Sequence, residues 1–318
     1  TWRLGSWYVD NWPAGQPTFF ENRLAFCNTT AEPNAFWISR SGDFTSHKPT
    51  ARDGTVADTH AVNRLITDSQ VNAIYWLVVD NSDMFAGTSD GPFKIWSGSQ
   101  TSAFSPTKVK VDKQTRDGAG NISPSEAGDA ILYVSRSTLK VRELTFSFEK
   151  DKHLSANLSL LAEHITKPGI SQVAYTAEPD SIVWAILTDG SLVSMTYKRD
   201  ENVIAWHRQT LGGTGVEVES IATVPGIGGT FDTLYMIVKR TINSATHRYV
   251  EFLENRFEPT TLTDKDDAFF VDSGLTYSGG STSTITGLSH LEGQSVVVFA
   301  NGATHPNKTV ASGQITLD

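Results

Sequence analysis

Residues 16–49 read QPTFFENRLAFCNTTAEPNAFWISRSGDFTSHKP. The stretch alternates short aromatic runs with turn residues. The runs 18–20, 23–27 and 35–39 are each the length of a strand, and Asn, Ser, Gly and Pro punctuate them. Aromatic and β-branched side chains suit a pleated, half-buried surface, and the punctuating residues supply the turns. No catalytic grouping occurs here. Cys27 lies within Leu24-Ala25-Phe26-Cys27, where it reads as a small buried hydrophobe. As the 1 Cys of the chain it forms no intrachain disulfide, which fits folding in a reducing compartment.

The same pattern runs outward from this stretch. Further strands are expected at 73–79, 83–86, 93–97, 130–134, 140–148, 172–177, 182–187 and 192–198. Later ones are expected at 205–209, 216–224, 233–240, 247–253, 295–299 and 314–317. In 73–79 and 181–187 the apolar run is nearly continuous, which predicts strands covered on both faces. Two stretches carry helical spacing instead. Val56, Ala57, Ala61, Leu65 and Ile66 fall near one face of 56–67, and Leu158, Leu161, Ala162 and Ile165 do so in 157–165, with Asn157 as the N-cap.

A buried strand, a tight turn and a partly polar strand ending in an aromatic recur at 72–96, 130–146, 181–197 and 233–252. The spacing resembles the roughly 40–50 residues of propeller blades, in which radial stacking shields each sheet's two faces. The expected fold is all-β: a β-propeller-like body of short antiparallel blades over 1–257, followed by a small C-terminal β module over 258–318. A composition shift near Pro259 sets the boundary. Thr1 at the start, and Ile315-Thr316-Leu317-Asp318 as a strand in mid-course at the end, predict a piece of a longer protein.

Composition excludes several classes. The 318 residues suffice to bury about 75% of the unfolded surface, and 39% hydrophobic content argues against disorder. The 8 Trp, 8 Tyr and 16 Phe concentrate in the strand-like runs, as expected of sheet surfaces. A net charge of −9 is the reverse of what phosphate neutralisation requires. It serves solubility, and it would also suit a wall that does not grip a passing nucleic acid. No run approaches membrane-span length, and no signal peptide opens the chain.

The quoted stretch resembles a signature of the podovirus-type phage tail nozzle (tail tubular) family: Pro17, Arg23-Leu24, the run from Pro33 to Ser39, and Ser41-Gly42-Asp43-Phe44. The likeness continues in order through the Trp-rich opening TWRLGSWYVDNWP, residues 58–77, Phe104-Ser105-Pro106, Gln114-Thr115-Arg116-Asp117-Gly118 and residues 132–143. It goes on with Asp189-Gly190-Ser191-Leu192, Ala205-Trp206-His207-Arg208, Val218-Glu219-Ser220-Ile221, residues 238–243 and Arg248-Tyr249-Val250-Glu251. It covers about residues 1–257. The family's usual further N-terminal region is not matched, which leaves the blade count open.

The resemblance implies a virion protein assembled in the host cytoplasm, with no enzymatic activity and no cofactor. It implies a homo-oligomer, a hexameric ring, that meets tail adaptor and portal proteins, tail fibres and the host envelope. DNA would pass through its lumen without specific binding. Arg23, Asp43, Asp189, Arg240 and Glu251 are its family-pattern residues, expected in turn geometry and inter-blade ion pairs. Residues 271–318 resemble a β insert likened to a small barrel module of ubiquitin-activating enzymes. The likeness is one of fold only. Two rival readings remain: a carbohydrate-binding or depolymerising tail module, and a cellular propeller scaffold for protein partners.

Motifs that could carry chemistry have plainer readings. Gly87-Thr88-Ser89-Asp90-Gly91 matches a nucleophile elbow but is followed by Pro92 and a strand-like run, so a hairpin turn is expected. The Asp-Gly pairs at 53–54, 117–118 and 189–190 lack the spacing of a sialidase box. Glu217 and Glu219 fall on one face of a strand, and Glu251 and Glu254 end another; solvated faces or an acidic lumen are the alternatives. Asp264, Asp266, Asp267 and Asp272 lack the loop spacing of a calcium site. The 8 His residues include no zinc pair, and Gly212-Gly213-Thr214-Gly215 lacks the Lys-Ser/Thr ending of a phosphate loop. Trp76 and Trp184 are expected in the core.

Overall fold

A computed structural model describes residues 6–80, 83–99, 101–213, 215–226, 228–254, 257 and 271–318. The chain forms two compact units, one of Thr1–Tyr175 with Arg199–Ile204, the other of Thr176–Lys198 with Ala205–Asp318. The boundary expected near Pro259 lies outside the described residues.

Unit 1 opens with a four-stranded antiparallel meander: β1 (Thr18–Phe20), β2 (Arg23–Cys27), β3 (Ala35–Ile38) and β4 (Val62–Leu65). A second follows: β5 (Ile74–Asp80), β6 (Asp83–Thr88), β7 (Gly91–Trp96) and β8 (Lys110–Lys113). The third runs β9 (Ser125–Ala127), β10 (Ala130–Val134), β11 (Val141–Ser147) and β12 (Lys152–Asn157).

The sheets cover one another in sequence order. Phe20, Ala25, Cys27, Phe36 and Ile38 of the first sheet share a buried cluster with Ile74, Leu77, Met84, Ala86 and Ile95 of the second. The other face of the second sheet offers Trp76, Val78 and Phe85 to Ile131, Tyr133 and Leu144 of the third. A register shift between Ile74 and Trp76 makes this two-sided burial possible, because it sets Ile74 and Leu77 against one neighbour and Trp76 and Val78 against the other. The near-continuous apolar run read in the sequence is a strand covered on both faces. Four-stranded blade-like sheets, stacked consecutively, are the propeller-like organisation expected of this chain.

The chain passes between the units along β13 (Ile170–Thr176) and again along β16 (Val203–Gln209). Unit 2 contains the wholly buried β14 (Ile182–Leu187) paired with β15 (Leu192–Lys198), where Trp184 donates Nε1–H to Thr176 Oγ1 at 3.1 Å. It continues with a sheet of β17 (Glu217–Pro225), β18 (Asp232–Ile242) and β19 (Ala245–Phe252). β18 alternates strictly, with Leu234, Met236, Val238 and Arg240 buried. The described part of the C-terminal module pairs β20 (Thr284–Thr286) with β23 (Gln314–Thr316), and β21 (Ser295–Ala300) with β22 (Ala303–Thr309). Leu288, Val310 and Ile315 form its core. Pro306 is tolerated in β22 because it faces a register irregularity between Val296 and Val298.

Both helical expectations are corrected. Residues 56–67 form a turn, in which the Ala57 N–H is accepted by His60 Nδ1, and then β4, with Val62 paired to Ile38. In 157–165, Asn157 ends β12 and its Oδ1 accepts the Ser159 N–H at 3.0 Å, making a local turn and not a helix cap. Only Glu163–Thr166 turns helically. Among the described residues, no helix is long and apolar enough to cross a membrane.

Candidate functional site

The five family-pattern residues are structural in position. Arg23 is 3% exposed. Its guanidinium donates to the carbonyls of Ser39 (2.9 Å), His60 (2.7 Å) and Asp58 (2.7 Å), tying β2 to the loop before β4. Burial lowers its pKa. Asp43 accepts from the backbone N–H and Oγ1 of Thr45 at 3.2 and 2.8 Å. Asp189 accepts the Ser191 N–H at 3.0 Å, with Gly190 at φ +81° in the same turn. Arg240, 4% exposed, makes a two-pronged pair with Glu251, both at 2.7 Å, and reaches Asp272 at 3.0 Å. The carboxylates raise its pKa, hydrogen bonding to Glu251 foremost. This pair lies within one sheet, across β18 and β19, and is not an inter-blade link. Arg240 also donates to the Gly212 carbonyl, while Asp272 accepts the Gly212 N–H.

The remaining motifs resolve as local structure. Gly87 to Gly91 is the β6–β7 hairpin, with Thr88 paired to Gly91. Glu219 is the extra residue of a β-bulge, bound to Arg248 at 2.7 Å, while Glu217 binds Lys239 at 2.7 Å. Neutralised by their neighbours, these two acids do not form a bare acidic surface. Cys27 is buried and its thiol is pushed up to about 12 by desolvation, so the thiolate nucleophile is not available. Asp264, Asp266 and Asp267 lie outside the described residues. Among the described residues no group of three or more His, Cys, Asp or Glu could hold a metal ion.

An open cleft of about 440 Å³ lies within unit 1, lined by 114–117 on one side and 152–156 on the other. Its walls meet through Gln114, whose Oε1 accepts the His153 backbone N–H at 3.2 Å and lies 3.0 Å from His153 Nδ1. An amide oxygen can only accept, which places a ring proton on Nδ1. Desolvation first, then the Lys94 charge, lowers His153 to about 4. Arg142 pairs with Asp117 at 2.9 Å and donates to the Ser155 carbonyl at 3.1 Å. Tyr133 Oη lies 2.7 Å from Ser155 Oγ, and burial pushes its hydroxyl up to about 12.

Two glycines let the loop approach. A Cβ on Gly91 would strike the Thr115 carbonyl, and one on Gly118 would strike the Ser89 carbonyl. The Asp-Gly pairs at 90–91 and 117–118 thus serve backbone-to-backbone packing of the β6–β7 turn on the cleft loop. Sequence reading placed residues 114–118 in the tail-family likeness but did not join them to 152–156. The first segment follows β8 of the second sheet and the other lies in β12 of the third, so only the packing of one sheet beside the next brings them together, which leaves no local spacing to detect.

No family model and no curated protein matches the chain. Among solved structures, human WBSCR16 is similar at 13% identity and TM-score 0.42, over 74% of this chain and 63% of that one. A protein from Lactobacillus plantarum matches at 7% and 0.45, covering 76% and 70%. An auxiliary nutrient binding protein from Bacteroides thetaiotaomicron matches at 8% and 0.43, covering 77% and 57%. The chain therefore spans less than two thirds of the human and Bacteroides proteins it is similar to. Likenesses this distant assign no family.

Proposed function

We propose that this chain is a non-catalytic β scaffold and, more specifically, a wall subunit of a phage tail nozzle. The reading is carried by where the family-pattern residues end. Arg23, Asp43, Asp189, Arg240 and Glu251 are spent on carbonyls, turn amides and a within-sheet ion pair, and none of them lines the cleft. Such residues hold shape and do not turn over substrate. The ordered resemblance over 1–257 supplies the finer assignment. In it, copies of the chain form a ring, a hexamer, in the virion; adaptor, portal and fibre proteins are its neighbours, the host envelope lies beyond, and DNA passes through. The net charge of −9 supports a wall that repels phosphate.

Antibody-gold electron microscopy of particles from the phage that encodes the chain tests this assignment. Label at the tail, with ring-shaped averages, is expected. Particles without the chain, or tails containing it only as monomers, would overturn the nozzle reading. The cleft favours a second reading, a scaffold that binds small molecules or glycans. Specific glycan-array binding by the purified chain, with no label on particles, would select it.

A further inference from the structure

The cleft between 114–117 and 152–156 carries a charge imbalance. Three bases on the neighbouring strands are matched: Lys94 with Asp83, Lys113 with Asp68 and Asp90, and Arg142 with Asp117. Arg116 and Lys152 line the cleft and have no carboxylate partner among the described residues. The acid that lines it, Asp117, is committed to Arg142. Two unneutralised cations therefore face one cleft in a chain of net charge −9.

Thr115 Oγ1 accepts the Asp117 N–H at 3.1 Å and is hydrogen-bonded to the Tyr133 hydroxyl, so the ligand-facing donors are the two cations. A planar guanidinium presents paired N–H groups to an oxyanion, and an ammonium adds a point charge.

The shape argues for a small occupant. β12 is the outer strand of its sheet, so an extended peptide could in principle add to it. Gln114 already caps the His153 N–H, however, and Arg142 caps the Ser155 carbonyl, which breaks the ladder such a peptide would need. A volume of about 440 Å³ is in the range of small-molecule sites.

We propose that this cleft binds a small oxyanion, a carboxylate or phosphate group, between Arg116 and Lys152. The inference does not depend on the nozzle reading. His153, held neutral by burial, contributes no charge, so affinity is set by Arg116 and Lys152.

The test is titration of the purified full chain with inorganic phosphate in one arm and malonate in the other, followed by calorimetry or amide NMR shifts. Millimolar or tighter binding in either arm is expected, and the arm that binds tells phosphate from carboxylate. Arg116→Gln/Lys152→Gln should weaken it at least about tenfold, while Lys48→Gln leaves it unchanged. Affinity should not rise on acidification from pH 8 to pH 6, where both probes can only lose negative charge. Lys152→Gln alone provides the readout should the double variant fail to fold, with a smaller loss expected. Silence in both arms, unchanged binding in the variants, or affinity that rises on acidification through the histidine range would overturn the site.

Discussion

Arg23 shows how much one buried side chain can organise. Its three carbonyl acceptors come from Ser39, Asp58 and His60, so one guanidinium ties the end of β3 to the loop that leads into β4. Arg23→Ala would orphan buried acceptors and open a gap. A loss of about 3–5 kcal/mol is expected by denaturant unfolding, with only partial recovery in Arg23→Lys, whose ammonium cannot span the three oxygens. His153 gives a pH signature. Packed edge-on to Phe85 at 4.7 Å, it stays neutral down to about 4, whereas an unfolded histidine titrates near 6.5. Its contribution is complete above the unfolded value and is lost as pH falls from about 6.5 toward 4, amounting to about 2–3 kcal/mol. Stability measured against pH should show this slope, and His153→Gln should flatten it.

Elements were legible in the sequence where one short run carried its own apolar pattern. β5, β14 and β15 stand close to where their side chains place them, and the Asp90-Gly91 hairpin is where its turn chemistry puts it. Elements defined by a partner were not. β4 carries Val-Asn-Arg-Leu, with Val62 alone buried, and it exists because β3 pairs with it. β8 and β12 are polar edge strands of the same kind. The apolar spacing in 157–165 mimicked a helix, yet Leu160 and Leu161 are exposed and only Leu158, Ala162 and Ile165 face inward. The candidate cleft escaped for a related reason, since it forms where the second sheet meets the third. Gly118 tests the element scale. Gly118→Ala would push the loop from the Ser89 carbonyl, with an expected cost of about 1–3 kcal/mol by thermal unfolding and a changed cleft, whereas Gly54→Ala meets no atom and pays only for its positive φ.

At the scale of the molecule, charge is the readable property. With a net −9 and most of the bases on described strands already paired, the chain is poorly suited to counterion release from a long duplex. Gel-shift assays at physiological salt should show no retention of double-stranded DNA, and retention that disappears only in high salt would contradict a non-adhesive wall. The stacking order within unit 1 has a further consequence for biosynthesis. Each meander pairs strands adjacent along the chain, and each finds its covering sheet among residues just before or just after it. Most closures join strands only a few residues apart, the links into β4 and β8 being longer, so a nascent polypeptide could complete one blade while the next is still inside the ribosome. The middle blade, apolar on both sides, is then the vulnerable one: until the third has emerged, Trp76 and Phe85 stand bare, and a pause in translation near residue 130 would be the moment of greatest aggregation risk.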